Sequence, residues 1–300
     1  MKIKIGSRKS RLALTQSEWV KSKLVNLDCE IVHIDTKGDQ VLDRALHKVG
    51  DKGLFTAELE EALLKGEIDL AVHSLKDLPT KINPQLPIKA ITKREDPWDC
   101  VVFNERVSST KSILKLPMNS VIGTSSLRRI SQLRHLRPDF QFFPLRGNVE
   151  TRIRKIKDGV NNLSAGVLAF AGLKRLGLQE LVDEVLSCEV CIPSPGQGAL
   201  AVQVCQNSID NKPELLEALE EINHKETKIL VGAERAALEF IDGGCQTPFA
   251  AYAESINSKE LKLIAALGDQ SSDMLIIDEI IGSKDEYGLL GEELGRRLKS

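Results

Sequence analysis

Aromatic side chains are scarce in this chain, at 4% of the sequence with two tryptophans and two tyrosines. Few rings leave few platforms on which bases could stack, and a formal net charge of −2 gives no global field for a polyanion. No nucleic-acid partner is therefore expected. Long apolar runs are also missing: none approaches the ~20 residues that a helical bilayer span needs. The opening MKIKIGSRKS has no apolar h-region and no small-residue cleavage site, and goes straight into strand-like alternation. No membrane association is expected, and the cytoplasm is the expected location. Six cysteines, at 29, 100, 188, 191, 205 and 245, are too scattered for a disulfide framework. The pair Cys188-x-x-Cys191 has the spacing of half a zinc site, but no second CxxC or HxxxH accompanies it. Neither a metal site nor a redox pair is expected there.

What is present is an alternation of strand and helix signals over a length suited to about two or three domains. KIKIGS alternates as a short strand. A helical pattern follows, with Leu12, Trp19, Val20 and Leu24 near 3.6-residue spacing. CEIVHIDT (29–36) reads as a strand and the polar stretch 37–52 as a loop. GLFTAELEEALLKGE (53–67) reads as a helix with Leu54, Leu59 and Leu63 inward, and IDLAVHS (68–74) as a buried strand. A second such set starts near Cys100, with strands at CVVF, SVIG, QFFPL (141–145) and GVLAFAG (166–172). After a helix over 224–241, three strand-like runs and a last helix near 285–298 form a smaller α+β tail. The expected fold class is α/β: two α/β domains with a cleft between them, plus a small C-terminal α+β domain. The expected boundaries are 1–94 with 197–217, then 98–192, then 220–300. Linkers near 93–99 and 192–198 imply a chain that crosses over and returns.

Arginine carries the chemical signal. Seven lie between positions 128 and 154: Arg128, Arg129, Arg134, Arg137, Arg146, Arg152 and Arg154. Their forks suit carboxylates and phosphates and stay charged. In GTSSLRR (123–129) a glycine ends a strand, and Thr124, Ser125 and Ser126 open a helix whose free N–H groups favour an anion. LRGNVETR (145–152) repeats the arrangement, with Arg146 before Gly147. Arg8 follows the first strand, and Arg175 follows a further turn. Arginines placed after several strands converge at the carboxyl edge of an α/β sheet, where ligands bind. Arg134, Arg137 and Arg154 suit a solvated face; Arg8, Arg128, Arg129, Arg146 and Arg152 suit a small ligand bearing many carboxylates or phosphates.

Three further stretches qualify this picture. HSLKDLP (73–79) sets His73, Ser74 and Asp77 close together, yet lacks a nucleophile elbow and oxyanion hole, so hydrolase chemistry is not expected. Asp77 suits a carboxylate that accepts hydrogen bonds from ligand N–H groups and stabilises a cation there; a helix cap or a salt bridge would also explain it. KVGDKGLF (48–55) puts Lys52 at a loop-to-helix junction without a Walker pattern. GGCQTP (243–248) sets Cys245 alone on a bend, either as a small buried residue or as a thiol that carries something. A two-lobed anion-binding protein without catalysis would share the arginines but leave that thiol unexplained.

ERAALEFIDGGCQTPFA (234–250) resembles, over its whole length, the cofactor-attachment signature of the hydroxymethylbilane synthase (porphobilinogen deaminase) family. KVGDKGLF, LAVHSLKDLP, GTSSLRR, LRGNVETR, AGLKRLG and PGQGAL resemble its other motifs in the same order. The resemblance implies three domains, the first two like the lobes of periplasmic anion-binding proteins and the third holding the cofactor on a loop. It implies a monomer whose substrate is porphobilinogen, four molecules of which are joined head to tail with loss of ammonia to give hydroxymethylbilane. It implies a dipyrromethane cofactor held through a thioether to Cys245, and Asp77 as the catalytic aspartate. Each pyrrole carries an acetate and a propionate, so the growing chain is polyanionic. By resemblance Arg8, Arg128, Arg129, Arg146, Arg152 and Arg175 bind those carboxylates, and Ser10, Lys52, Ser74, Lys76, Thr124, Ser126 and Gly147 make further cofactor or substrate contacts.

Overall fold

The inner strands of each α/β sheet bury most of their residues, and helices cover them. The computed structural model describes residues 2–36, 56–110, 112–242, 247–269 and 274–300; Lys52 and Cys245 lie outside these. The chain forms two compact units, Met1–Glu95 with Ala199–Ile229, and Asp96–Gly198 with Leu230–Ser300.

In the first unit the sheet order is β2-β1-β3-β10-β4. Strands β1 (Lys2–Arg8), β2 (Asp28–Ile34) and β3 (Leu70–Ser74) run parallel, while β10 (Leu200–Val204) is antiparallel to β3 and to β4 (Ile88–Ile91). On one face Ile3, Ile5, Val72 and Val202 pack with Val20 and Leu24 of helix Arg11–Lys23 and with Leu215 and Leu219 of helix Pro213–Ile222. On the other, Ala71 packs with Leu59 and Leu63 of helix Ala57–Leu64. Each such buried aliphatic side chain contributes about 1.5–3 kcal/mol.

The phase of helix Arg11–Lys23 departs from its apolar periodicity. Gln16 and Ser17 face inward beside Val20, whereas Trp19 is exposed and Leu12 only half-buried. A buried glutamine is tolerable because it finds a hydrogen-bond partner at the end of β3. Trp19 instead lies under the Lys23 ammonium, 5.6 Å from the ring centroid. The short strand β4, hidden in sequence between prolines, was not expected.

In the second unit the order is β7-β6-β8-β5-β9. Strands β6 (Val121–Gly123), β7 (Gln141–Phe143) and β8 (Leu163–Ala169) run parallel; β5 (Asp99–Phe103) is antiparallel to β8 and to β9 (Glu184–Val185). Strand β8 starts earlier than its polar lead-in suggested, because Leu163 and Ala165 are buried in it. Strand β5 starts at Asp99, one residue before the apolar run. The same unit contains helix Lys225–Phe240 from Leu230 onward, the antiparallel sheet β11 (Phe249–Ser255), β12 (Glu260–Gly268), β13 (Leu275–Ser283), and the last helix Tyr287–Lys299. Ala250 and Ala266 of this sheet pack on Ile192.

Candidate anion-binding and catalytic site

Each α/β sheet gathers the sequence-selected residues at the carboxyl ends of its parallel strands, the edge at which such sheets bind ligands. In the first unit Arg8 closes β1, and Ser10 caps the following helix by accepting a hydrogen bond from Ala13 N at 3.3 Å. The buried Ser7 donates its hydroxyl to Arg8 O at 3.0 Å, which fixes the backbone of this turn. At the end of β3 come Ser74 and the short 3₁₀ turn Leu75–Asp77. Leu75 and Leu78 are buried and hold the turn from beneath, and Leu75 N donates to Ala199 O at 3.0 Å. Lys76 is half-buried, and Asp77 is exposed with no ion pair among the described residues.

His73, just below, is buried, and burial lowers its pKa from 6.5 to about 4, so the ring is neutral near pH 7. Ser74 Oγ is hydrogen-bonded to Gln16 and not to His73, whose Nε2 has no partner among the described residues, so the ring is not placed as a general base for Ser74. Among the described residues, the side chains of His73, Ser74 and Asp77 make no hydrogen bonds to one another.

In the second unit two turns lie side by side. Thr124 N donates to Phe143 O at 3.0 Å, and Ser125 Oγ donates to Leu145 O at 3.2 Å. Thr124 is buried and its Oγ1 accepts from Ser126 N at 3.2 Å; Ser126 precedes helix Leu127–Leu136. Gly147 has φ +112°, and a Cβ there would lie 2.8 Å from Thr151 Cγ2. That conformation suits glycine and lets the backbone turn sharply into helix Val149–Lys157, capped by Asn148. Arg152 Nε donates to Gly147 O at 2.7 Å, and Lys155 Nζ donates to Arg146 O at 3.1 Å. Arg146 itself is half-buried and has no acidic partner among the described residues; burial lowers its pKa. Arg175 ends helix Phe170–Arg175 and donates to Gly198 O at 2.6 Å.

Arg128 and Arg129 behave differently from the other arginines. Both are buried, and both bind Asp99 at 2.7 Å through separate carboxylate oxygens. Arg128 also donates to Ile192 O at 2.7 Å, and Arg129 to Val167 O at 2.8 Å. Burial pushes the Asp99 pKa up, but the two guanidinium charges overcome this and hold it well below the carboxylate range. Burial and Asp99 push the adjacent Cys191 thiol up to about 12, so it is neutral. Among the described residues two cations therefore face one anion, and Arg129 Nε is a buried donor without a partner. Of Arg134, Arg137 and Arg154, Arg137 is half-buried and locked to Asp139 at 2.7 Å, and Arg134 covers the Phe142 ring at 5.3 Å.

Sequence reasoning passed over Asp99, Gln16, Gln132 and Gln197. Gln132 bridges Ile192 through both amide atoms, and Gln197 donates to Asp99 at 2.9 Å. An acid at the head of an otherwise apolar strand was the one available signal. Among the described residues no group of three or more His, Cys, Asp and Glu could hold a metal ion, and no helix is long and apolar enough to cross a membrane.

Two family models match the chain: porphobilinogen deaminase, dipyromethane cofactor binding domain, over residues 3–212, and porphobilinogen deaminase, C-terminal domain, over residues 228–300. A porphobilinogen deaminase of Pelobacter propionicus is 46% identical over 99% of this chain and 94% of its own length. One of Halalkalibacterium halodurans is 45% identical over 99% and 93%. Among solved structures, the periplasmic sulfonate-binding protein SsuA of Methylobacillus flagellatus aligns over 76% of this chain and 71% of its own, with TM-score 0.41 and 15% identity.

Proposed function

The chain belongs to the porphobilinogen deaminase family, and we propose that it acts on porphobilinogen at Asp77 and anchors its dipyrromethane cofactor on Cys245. The enzyme condenses four porphobilinogen molecules head to tail, releasing ammonia, to give hydroxymethylbilane for tetrapyrrole biosynthesis.

The residues fit a cofactor and substrate that carry many carboxylates. Among the described residues, Arg146 is a half-buried cation with no acid beside it, and Arg129 has a buried donor with no partner. Gly147 leaves room where a Cβ would crowd the turn. In this reading Arg8, Ser10, Ser74 and Lys76 serve from the first sheet edge. Thr124, Ser126, Arg128, Arg129, Arg146, Gly147, Arg152 and Arg175 serve from the second, with Lys52 a further contact. When bound, the dipyrromethane supplies the free pyrrole α-carbon on which the chain starts. Arg128 and Arg129 act chiefly through the field of their net positive cluster, since Asp99 holds their forks; Arg146 is the freer direct partner.

Asp77 carries the chemistry. The protonated amino group of porphobilinogen's aminomethyl arm leaves as ammonia with the C–N electron pair, and the positive charge that remains on the ring is shared with the pyrrole N–H. An exposed carboxylate on a turn pinned by buried leucines can accept that N–H and stabilise the cation without moving. The observation that supports this most is Asp77 itself: an acid without an ion pair among the described residues, at the carboxyl end of a parallel strand. The reading also includes a monomeric state, a cytoplasmic location, and functional domains at 1–94 with 197–217, 98–192 and 220–300, the cofactor loop in the last.

Intact mass and ammonia release test it together. Wild-type protein made with porphobilinogen available should exceed the bare chain by the mass of a dipyrromethane and release ammonia from porphobilinogen. Cys245→Ala should lose both properties. A wild-type mass equal to the bare chain would sink the anchor, and full turnover by Asp77→Asn would sink the catalytic assignment.

A further inference from the structure

Gln16 occupies a core-facing position with a polar side chain. It is 4% exposed, and its Nε2 donates to Ser74 Oγ at 3.0 Å. Ser74 ends β3, is half-buried, and heads the turn that carries Asp77. A serine at the head of a helical turn ordinarily folds its hydroxyl back onto the free N–H groups. Ser74 makes no such side-chain cap. Its oxygen instead accepts from Gln16, and its single proton has no acceptor among the described residues.

We infer that Gln16 is a positioning residue that makes Ser74 a hydrogen-bond donor toward a carboxylate of the pyrrole substrate. The inference rests on the reading that Ser74 touches the ligand. A free serine hydroxyl can present either a lone pair or a proton. With one of its two lone pairs taken up by Gln16 and no acceptor for its proton among the described residues, it presents the proton, the only part of use to a carboxylate, which accepts and never donates. Three residues on, Asp77 can only accept. One short turn thus offers a donor and an acceptor to a molecule that carries both carboxylates and N–H groups. Gln16, from the neighbouring helix, fixes which end of the turn does which.

Steady-state kinetics of the holoenzyme, with KM and kcat taken separately, test this. Gln16→Met keeps the length and removes the donor; KM for porphobilinogen should rise about fivefold, with kcat within about twofold, the size of one neutral hydrogen bond's orientation. Gln16→Glu offers an acceptor, so the Ser74 proton turns inward; KM should rise about tenfold or more. Ser74→Ala should raise KM about tenfold, and adding Gln16→Met to it should change nothing further. A full additional rise in the Ser74→Ala background, or wild-type KM in Gln16→Glu or Ser74→Ala, would overturn the inference. The broader function fails on a different result: a wild-type holoenzyme that releases no ammonia from porphobilinogen.

Discussion

Asp99 Oδ2 accepts a hydrogen bond from Arg128 Nη1 at 2.7 Å, with both side chains buried. This pair joins the first residue of β5 to the first turn of helix Leu127–Leu136, and Arg129 shares the same carboxylate. Replacing Asp99 by Asn leaves two buried guanidinium groups facing no anion. Removing one partner of a buried pair costs about 3–5 kcal/mol, and the urea midpoint of Asp99→Asn should fall accordingly. The depressed carboxyl pKa also fixes a pH window. Its stabilisation is complete above the ordinary carboxylate range and declines progressively as pH falls from there toward the lower folded value. Wild type should therefore keep most of this contribution at pH 4, which an acid titration followed by near-ultraviolet circular dichroism would check against Asp99→Asn.

Arg146 should matter to binding more than to stability. It is half-buried and has no acidic partner among the described residues, so Arg146→Gln breaks no ion pair there. A charged hydrogen bond to a ligand is worth about 1.5–3 kcal/mol, so KM should rise roughly tenfold or more while the unfolding midpoint stays near wild type. Arg137→Gln is the contrasting case. It breaks the Asp139 pair and should cost stability with little change in KM.

His73 predicts a second pH dependence. Its folded pKa is lowered to about 4 by burial, from 6.5, so the unfolded chain binds the proton more readily between those values. The stability due to its neutral form is fully present above pH 6.5 and declines as pH falls toward about 4. Urea midpoints of wild type should drop across that interval. His73→Gln should flatten the slope, and an unchanged slope would show that another group titrates there.

The cysteines of the CxxC pair should be inert in the native protein. Burial pushes Cys188 up to about 11 and Cys191 up to about 12, so both are thiols at pH 8. Cys100, buried in β5, is also pushed up to about 12. Iodoacetamide at pH 8, read by peptide mass mapping, should leave all three unlabelled in the native state and label them in denaturant.

Gly147→Ala should test the turn that opens helix Val149–Lys157. The residue would have to hold φ +112° and push its Cβ against Thr151. Such strain costs about 1–3 kcal/mol. The relaxed turn would also withdraw the carbonyl that Arg152 binds, so both unfolding midpoint and KM should move.

Much of this site could be read from the chain because its signals are local. A strand end followed closely by glycine, hydroxyl or amide capping residues and arginines is a signal set by neighbouring residues. GTSSLRR and LRGNVETR therefore announce turns at a sheet edge before any sheet is known. The phase of helix Arg11–Lys23 was less legible. Periodicity counts apolar residues, and it could not foresee that Gln16 would turn inward to meet Ser74, 58 positions away. Asp99 was hidden for a similar reason: it looks like the end of a linker until β5 is paired with β8.

The sequence by itself determined the family, the alternation of strands and helices, and which residue types stand at the strand ends, because each depends on a few neighbouring residues. Only the tertiary structure decided how the arginines divide their charge. Arg128 and Arg129 reach back to an acid about 30 positions earlier, whereas Arg146 has no acid within reach among the described residues. A guanidinium pairs with whatever carboxylate the topology delivers within about 3 Å, and that delivery is set by strand order.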